Sequence, residues 1–334
     1  MFDRRRKMKV LVVGLGSMGK RRIRLLKKIK PDFLIIGVDS NEERAEFARK
    51  EYGIEVSADL DKALESYKPE YAVISTSPLS HAAIIHKCLS AQVHVFTEIN
   101  LVKDQYKENM ELAEKKGKVL FLSSTFLYRD DVQYVLKKVR NNIGNVNYNY
   151  HVGQYLPDWH PWENFENFFV GKRETNGCRE IFAIDLPWII ETFGEIEHID
   201  VLSGKNTKLN IDYCDNYLLL IQHKTGHKGM IAVDIMSRKA VRKLEVFGEQ
   251  IYITWDGTPK GLREYDWEKK EDVDIDLYSE VDTIDGYSSF VIENAYESEL
   301  RAFFDEMEKG EMPRYSFNKD MTTLEWIDKI EGTD

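Results

Sequence analysis

The stretch KVLVVGLGSMG, Lys9 to Gly19, decides the fold. Its first half is apolar and mostly β-branched, which reads as a strand buried on both faces. Gly14-x-Gly16-x-x-Gly19 follows, and a helical stretch opens at Ser17. That order is the dinucleotide-binding fingerprint. Gly14 allows the tight turn, Gly16 lets the backbone approach a pyrophosphate, and Gly19 lets the helix pack on the strand. The first helical turn, Ser17, Met18 and Gly19, offers free N–H groups and a partial positive charge to the phosphates. A second strand, Phe33 to Val38, ends in Asp39, twenty residues after Gly19. An acidic side chain there accepts hydrogen bonds from an adenosine ribose and repels a 2′-phosphate. The expected coenzyme is therefore NAD, in preference to NADP.

Outward from this stretch, strands and helices alternate. Ser17 to Lys30 is a basic helix with Ile23, Leu25, Leu26 and Ile29 turned inward. Ser40-x-x-Glu43 has the form of a capping box, with Ser40 as the cap, and Gly53 ends that helix. Strands at Tyr71–Ser75, Val93–Thr97 and Val119–Leu122 alternate with helices at Pro78–Ala91 and Asp104–Lys116. Such alternation predicts a parallel, doubly wound sheet, with its ligand crevice at the carboxyl ends of the strands. Gly14, Asp39, Thr76 and Glu98 all fall there. After residue 124 the pattern changes to a meander of strands between Val146 and Trp255, with Lys224-Thr225-Gly226 as a hairpin turn. The acidic run Glu264–Glu280 reads as a solvated edge hairpin. The predicted class is α/β: an N-terminal Rossmann domain over 1–123, then an α+β domain over 124–334 with a large, mostly antiparallel sheet. The closing helices are expected to pack back on the first domain.

The bulk properties narrow the function. The chain has 334 residues, enough for two full cores, and a formal net charge of −10. Nothing global would attract a polyanion, so no nucleic-acid or anionic-membrane partner is expected. Cys88, Cys178 and Cys214 are far apart with no CxxC, which suggests a reducing, cytoplasmic setting and no zinc site. The basic run Arg4–Lys7 flanks a short strand and is not followed by a cleavage pattern. His223 and His227 flank a turn with no third ligand nearby, so no metal is expected. An antiparallel sheet with one open face makes a homo-oligomer the expected assembly.

With these motifs in place, the chain resembles the glucose–fructose oxidoreductase/inositol dehydrogenase family of nicotinamide-dependent sugar oxidoreductases. The resemblance is carried by VVGLGSMG (12–19), by STSPLSHAAIIHKCLSAQVHVFTE (75–98), by Ile143-Gly144, and by the pattern from Tyr296 to Pro313. It implies that Thr76, Ser77 and Pro78 line the nicotinamide half of the site. It also implies that His81 packs at the start of the following helix and that Glu98 lies close to the coenzyme. The residues themselves suit His81 and His94 to structural roles.

Two departures matter chemically. The family's glutamate is followed by lysine and proline; here Ile99 and Asn100 follow Glu98. Counting back from Phe193-Gly194, Ile184 falls where the resemblance places a catalytic histidine. Alcohol oxidation by hydride transfer needs a group to take the hydroxyl proton. In this chain Tyr128, His160, Glu180 and Asp185 are the candidates, and His160 suits the task by intrinsic pKa. Tyr128 and Arg129 follow the last Rossmann strand and are expected over the nicotinamide, with Asp130-Asp131 capping a helix. The loop Gln154 to Trp162 offers Tyr155, Trp159 and Trp162 as flat faces for a sugar or base. Lys172 and Arg173 stand at a spacing suited to a phosphate, and Arg179 either reaches an anionic substrate group or pairs with the neighbours of Glu180 at the helix start. This loop resembles that of family members acting on nucleotide sugars in surface-polysaccharide pathways. The expected activity is hydride transfer to or from such a sugar. The alternative is a non-catalytic NAD-binding subunit or sensor, suggested by Ile99 and Ile184.

Overall fold

β1 (Lys9–Val13) is the centre of a six-stranded parallel sheet, and Val10, Leu11 and Val12 have no exposed surface. In this computed structural model residues 7–159, 164–282 and 290–332 are described. The chain divides into two compact units, one up to Ser124 with Glu297–Met321, the other Thr125–Tyr296 with the residues from Thr322.

In the first unit β1 is followed by α1 (Ser17–Ile29), β2 (Leu34–Val38), α2 (Glu42–Tyr52), β3 (Glu55–Ser57), α3 (Leu60–Tyr67) and β4 (Tyr71–Ile74). Then come α4 (Pro78–Ser90), β5 (His94–Thr97), α5 (Tyr106–Lys116) and β6 (Leu120–Leu122). The strand order is β3-β2-β1-β4-β5-β6, all parallel. Order reverses between β1 and β4, which is where such sheets bind ligands. Register puts Val13 beside both Val38 and Ile74, so Gly14, Asp39 and Ser75 leave the sheet at one level. The cap of α2 is Asn41, whose Oδ1 accepts from Arg44 N at 3.0 Å. The expected Ser40 cap is thus corrected by one residue, because Asp39 Oδ1 takes the Asn41 N–H and draws the turn onward. Gly53 closes α2 in the left-handed conformation. From Glu297 onward the long helix α8 (Glu293–Lys309) belongs to this unit and sets Phe303 and Phe304 against the sheet. Phe303 meets Phe96 and Phe121 edge-on, and Phe304 meets Phe33 and Tyr71 likewise.

The second unit contains α6 (Asp130–Asn141), β7 (Asn147–Gly153), α7 (Gly177–Phe193), β8 (Ile196–Gly204), β9 (Asn216–His223) and β10 (Lys228–Asp234). It continues with β11 (Val241–Gly248), β12 (Ile251–Trp255), β13 (Arg263–Asp266) and β14 (Glu271–Asp274). The closing helix α9 (Phe317–Glu331) contributes its last part to this unit. The eight strands run β14-β13-β12-β11-β7-β10-β9-β8, antiparallel except for β7 with β10. β13 and β14 form the expected edge hairpin. On β9 buried and exposed residues alternate strictly, so one face is core. α7 covers that face: Phe182 packs on Tyr217, Trp188 on Tyr150, and Phe193 on Tyr148. The other face carries Leu202, Leu218, Leu220 and Met230, each more than half exposed.

Candidate active site

Gly14, at φ +89°, turns the chain out of β1, and its N–H donates to Val38 O at 2.8 Å. A Cβ on Gly14 would meet Ser75 O at 2.7 Å, and one on Gly19 would lie 1.9 Å from Gly14 O. Both glycines are therefore required by packing of the loop itself. Gly16 differs. A Cβ there would meet only the Arg44 guanidinium, at 3.9 Å. The protein leaves that space open, as a backbone must where a diphosphate comes close. α1 starts at Ser17 with no side chain capping it. Asp39 Oδ2 accepts from Leu15 N at 2.8 Å, so the acidic residue also braces the glycine turn. These residues fit a dinucleotide: Gly14 to Gly19 would hold the diphosphate, and Asp39 the adenosine ribose. Arg44, not singled out in the sequence, stands beside Gly16; its position five residues past Asp39 was the available signal.

The second half of the crevice is built from β4 and β5. Ser77 and Pro78 start α4, and Ser80 Oγ donates to Thr76 Oγ1 at 2.8 Å. His81 is buried between the Asn100 side chain, 2.7 Å from Nδ1, and Thr76 O, 3.0 Å from Nε2. Burial lowers its pKa, so it is a neutral structural ring that shapes the Thr76 turn. His94 Nδ1 accepts from Val119 N. Glu98 forms a bidentate pair with Arg22, Nε–Oε1 2.7 Å and Nη2–Oε2 3.0 Å. Arg22 also reaches Glu299 at 2.9 Å, and Glu299 accepts from Ser124 N and Ser123 Oγ. This buried triad did not show in the sequence, because Arg22 and Glu299 are 277 residues apart.

The second unit holds the other candidates. Asp185 is buried, and its Oδ1 accepts from Tyr150 Oη and Trp188 Nε1 at 2.8 Å while pairing with Arg242. It is corrected from proton carrier to anchor of the sheet core. Arg179 is likewise corrected as a substrate anchor: it is 6% exposed and ion-paired with Asp328 at 2.7 Å and Glu331 at 2.5 Å. Arg129 is buried, pairs with Asp131 at 2.6 Å and donates to Phe290 O and Gly257 O, so it holds loops together. Asp131 is this guanidinium's partner, and neither Asp130 nor Asp131 caps α6, whose cap position is Arg129. Tyr128 is also buried, at 6% exposure.

Glu180 behaves differently. Along α7 the half-open positions are Glu180, Ile184, Ile190 and Glu191, and nearly all others are buried. Glu180 and Ile184 are one turn apart, so they share a face. Glu180 Oε2 is closed off from solvent with no hydrogen-bond partner, as is Asp185 Oδ2, but Asp185 has the Arg242 guanidinium on its other oxygen. Burial raises this carboxyl to about 7.

The loop before α7 is partly in view. Tyr155 lies under the Arg238 guanidinium, 3.6 Å from ring centre. Trp159 Nε1 donates to Gln154 O at 2.9 Å, and its ring tip stands over Gly177. His160 and Trp162 lie outside the described residues. Arg173 borders a cavity of about 420 Å³ with Lys205, Asp212, Tyr213, Cys214 and Glu331, so two cations and two carboxylates line it. Lys172 is exposed and does not line it. Among the described residues no three His, Cys, Asp or Glu stand together as a metal site, and no helix is long and apolar enough to cross a membrane.

Comparison with known proteins bears on this arrangement. Residues 8–124 match the family profile described as oxidoreductase family, NAD-binding Rossmann fold (GFO_IDH_MocA). Over these residues the chain is similar to the Gfo/Idh/MocA oxidoreductases. Biliverdin reductase A of Homo sapiens is 32% identical over 136 residues, 40% of this chain and 45% of that protein. The chain thus spans about half the length of the curated relatives it matches. A levoglucosan dehydrogenase bound to NADH and levoglucosan shares the fold at TM-score 0.79 and 15% identity, covering 98% of this chain and 97% of its own. A UDP-N-acetylglucosamine 3-dehydrogenase, GnnA from Acidithiobacillus ferrooxidans, does so at 0.74 and 15%, with 98% and 97% covered. Likeness at this identity establishes the α/β fold with its parallel and mostly antiparallel sheets, as expected from the Gfo/Idh/MocA resemblance.

Proposed function

We propose that this chain is a cytoplasmic, NAD-dependent oxidoreductase of the Gfo/Idh/MocA type acting on a sugar or nucleotide sugar, in surface-polysaccharide metabolism. The observation that carries the reading is Glu180, an unpartnered carboxyl poised near neutral pH on the open face of α7. A carboxyl near 7 both takes and returns a proton at physiological pH. It stands one turn from Ile184, so it is the acid–base group of α7 where the expected histidine is missing. The bound nicotinamide supplies the hydride acceptor or donor. Tyr155 and Trp159 offer ring faces, and the cavity beside Arg173 and Lys205, whose charges Asp212 and Glu331 balance, adds polar contacts. The test is turnover with NAD against a panel of UDP-sugars, uronates and neutral sugars, read by nicotinamide absorbance. Turnover of biliverdin and of no sugar would replace the sugar reading.

For the coenzyme, NAD should bind about tenfold or more tightly than NADP, because Asp39 repels a 2′-phosphate. Asp39→Ser should narrow or invert that ratio, since Arg44 is then the dominant charge beside the turn. Calorimetric titration of each coenzyme checks this; a wild-type preference for NADP would overturn it.

The assembly proposed is a homo-oligomer built on the open sheet face. Leu202 pairs with Leu218 across β8 and β9, and Leu220 with Met230 across β9 and β10. Asp200, Lys228, Lys243 and Glu245 stand on the same face, so a two-fold partner meets both signs of charge. Leu218→Glu with Leu220→Glu should give monomers by light scattering. A monomeric wild type would refute the assembly.

A second reading, a non-catalytic NAD-binding partner protein, is favoured by Ile99 and Ile184. It predicts coenzyme binding with no hydride exchange on any substrate of the panel.

A further inference from the structure

Two carboxylates share one guanidinium in the first unit. Arg22 and Glu299 have no exposed side-chain surface, while Glu98 keeps 11%. Glu98 is therefore the member of the triad that reaches the crevice. Its place follows from topology: it ends β5, in the second mononucleotide half of the sheet, the half that takes the nicotinamide side of a dinucleotide. Glu98 Oε1 lies 3.4 Å from Ser75 Oγ, and the Ser75 carbonyl is the group against which Gly14 is closed. The carboxylate is thus one residue removed from the diphosphate turn. Arg22 is spent on both acids and stands over Phe96, 4.4 Å from the ring centre. The triad sets two carboxyl groups against one guanidinium.

We infer that Glu98, held by Arg22 and backed by Glu299, biases the site toward the oxidised coenzyme. The oxidised nicotinamide ring bears a positive charge and the reduced ring none. A carboxylate held in a fixed place acts on the first and leaves the second nearly untouched. The adenosine diphosphate portion is the same in both forms, so it does not discriminate. Glu98 is in this sense a specificity residue for oxidation state, and Arg22 and Glu299 are positioning residues. The inference rests on the coenzyme reading proposed above.

The test uses the full chain and three probes: NAD+, NADH and ADP-ribose. In Glu98→Gln the affinity for NAD+ should fall about tenfold relative to that for NADH. Affinity for ADP-ribose should stay near wild type. Arg22 keeps Glu299 as its partner in this variant, so the fold has no orphaned charge. Glu299→Gln should move the ratio in the same direction by a smaller factor, and it serves if Glu98→Gln does not fold. Equal loss of NAD+ and NADH in both variants, or an unchanged ratio, would overturn the inference. Failure of wild type to bind any of the three probes would instead remove the coenzyme reading beneath it.

Discussion

Glu180→Gln should lower kcat by about a hundred- to ten-thousand-fold, the range expected for loss of a positioned acid–base group. Coenzyme affinity should not change, since the coenzyme residues belong to the other unit. In wild type, oxidation should accelerate as pH rises through about 7, the value to which burial raises this carboxyl, and the variant should lose that limb. Stability should move the opposite way from activity. An unfolded chain releases the Glu180 proton near 4.3. Between there and about 7 the folded state binds more protons, so rising pH costs stability through that window. Glutamine carries no such cost. Above neutral pH the variant should be more stable by on the order of 2 kcal/mol, reduced because Glu180 is partly exposed. At pH 4 the two should melt alike. A variant that is stabilised yet inactive separates chemistry from damage to the fold. Turnover within about twofold of wild type would remove Glu180 from the reaction.

Arg22→Met should be among the most damaging single changes to the fold. It leaves Glu98 and Glu299 buried together without a cation, and breaking a buried pair this way costs about 3–5 kcal/mol. Burial already raises the Glu299 carboxyl, and Arg22 acts against that rise. The first thermal transition should drop by roughly 10 °C. Restoring neutrality with Glu98→Gln and Glu299→Gln in the same chain should recover most of the loss, because no uncompensated charge remains. Calorimetry of the single and triple variants decides it. Equal damage in both would show that packing of the Arg22 side chain, and not its charge, is what the fold requires.

What could be read from the sequence was what is local. The strand, the glycine turn and Asp39 lie within some thirty residues, and each constrains its neighbours through backbone geometry. The meander of strands and the edge hairpin at β13–β14 were legible for the same reason. Side chains whose partners are distant were not. Arg22 reads as one cation in a basic helix, Arg179 as a free anion binder, and Asp185 as an available carboxylate. Glu299, Glu331 and Arg242 claim them, and nothing near them in the chain says so. Glu180 could be nominated from its type but not separated from Asp185. Only the packing of α7 shows that one faces the sheet core and the other the open side.

The coenzyme-binding unit is discontinuous in the chain, and this bears on how it is made. When a ribosome has released the glycine turn and all six strands of the parallel sheet, the acid that completes Arg22 has not yet been synthesised. Phe303 and Phe304, which cover Tyr71 and Phe96, are also still to come. A nascent chain of the first 124 residues therefore presents a bare aromatic surface and a half-matched ion cluster. That unit is complete only once residues 297–321 have been made.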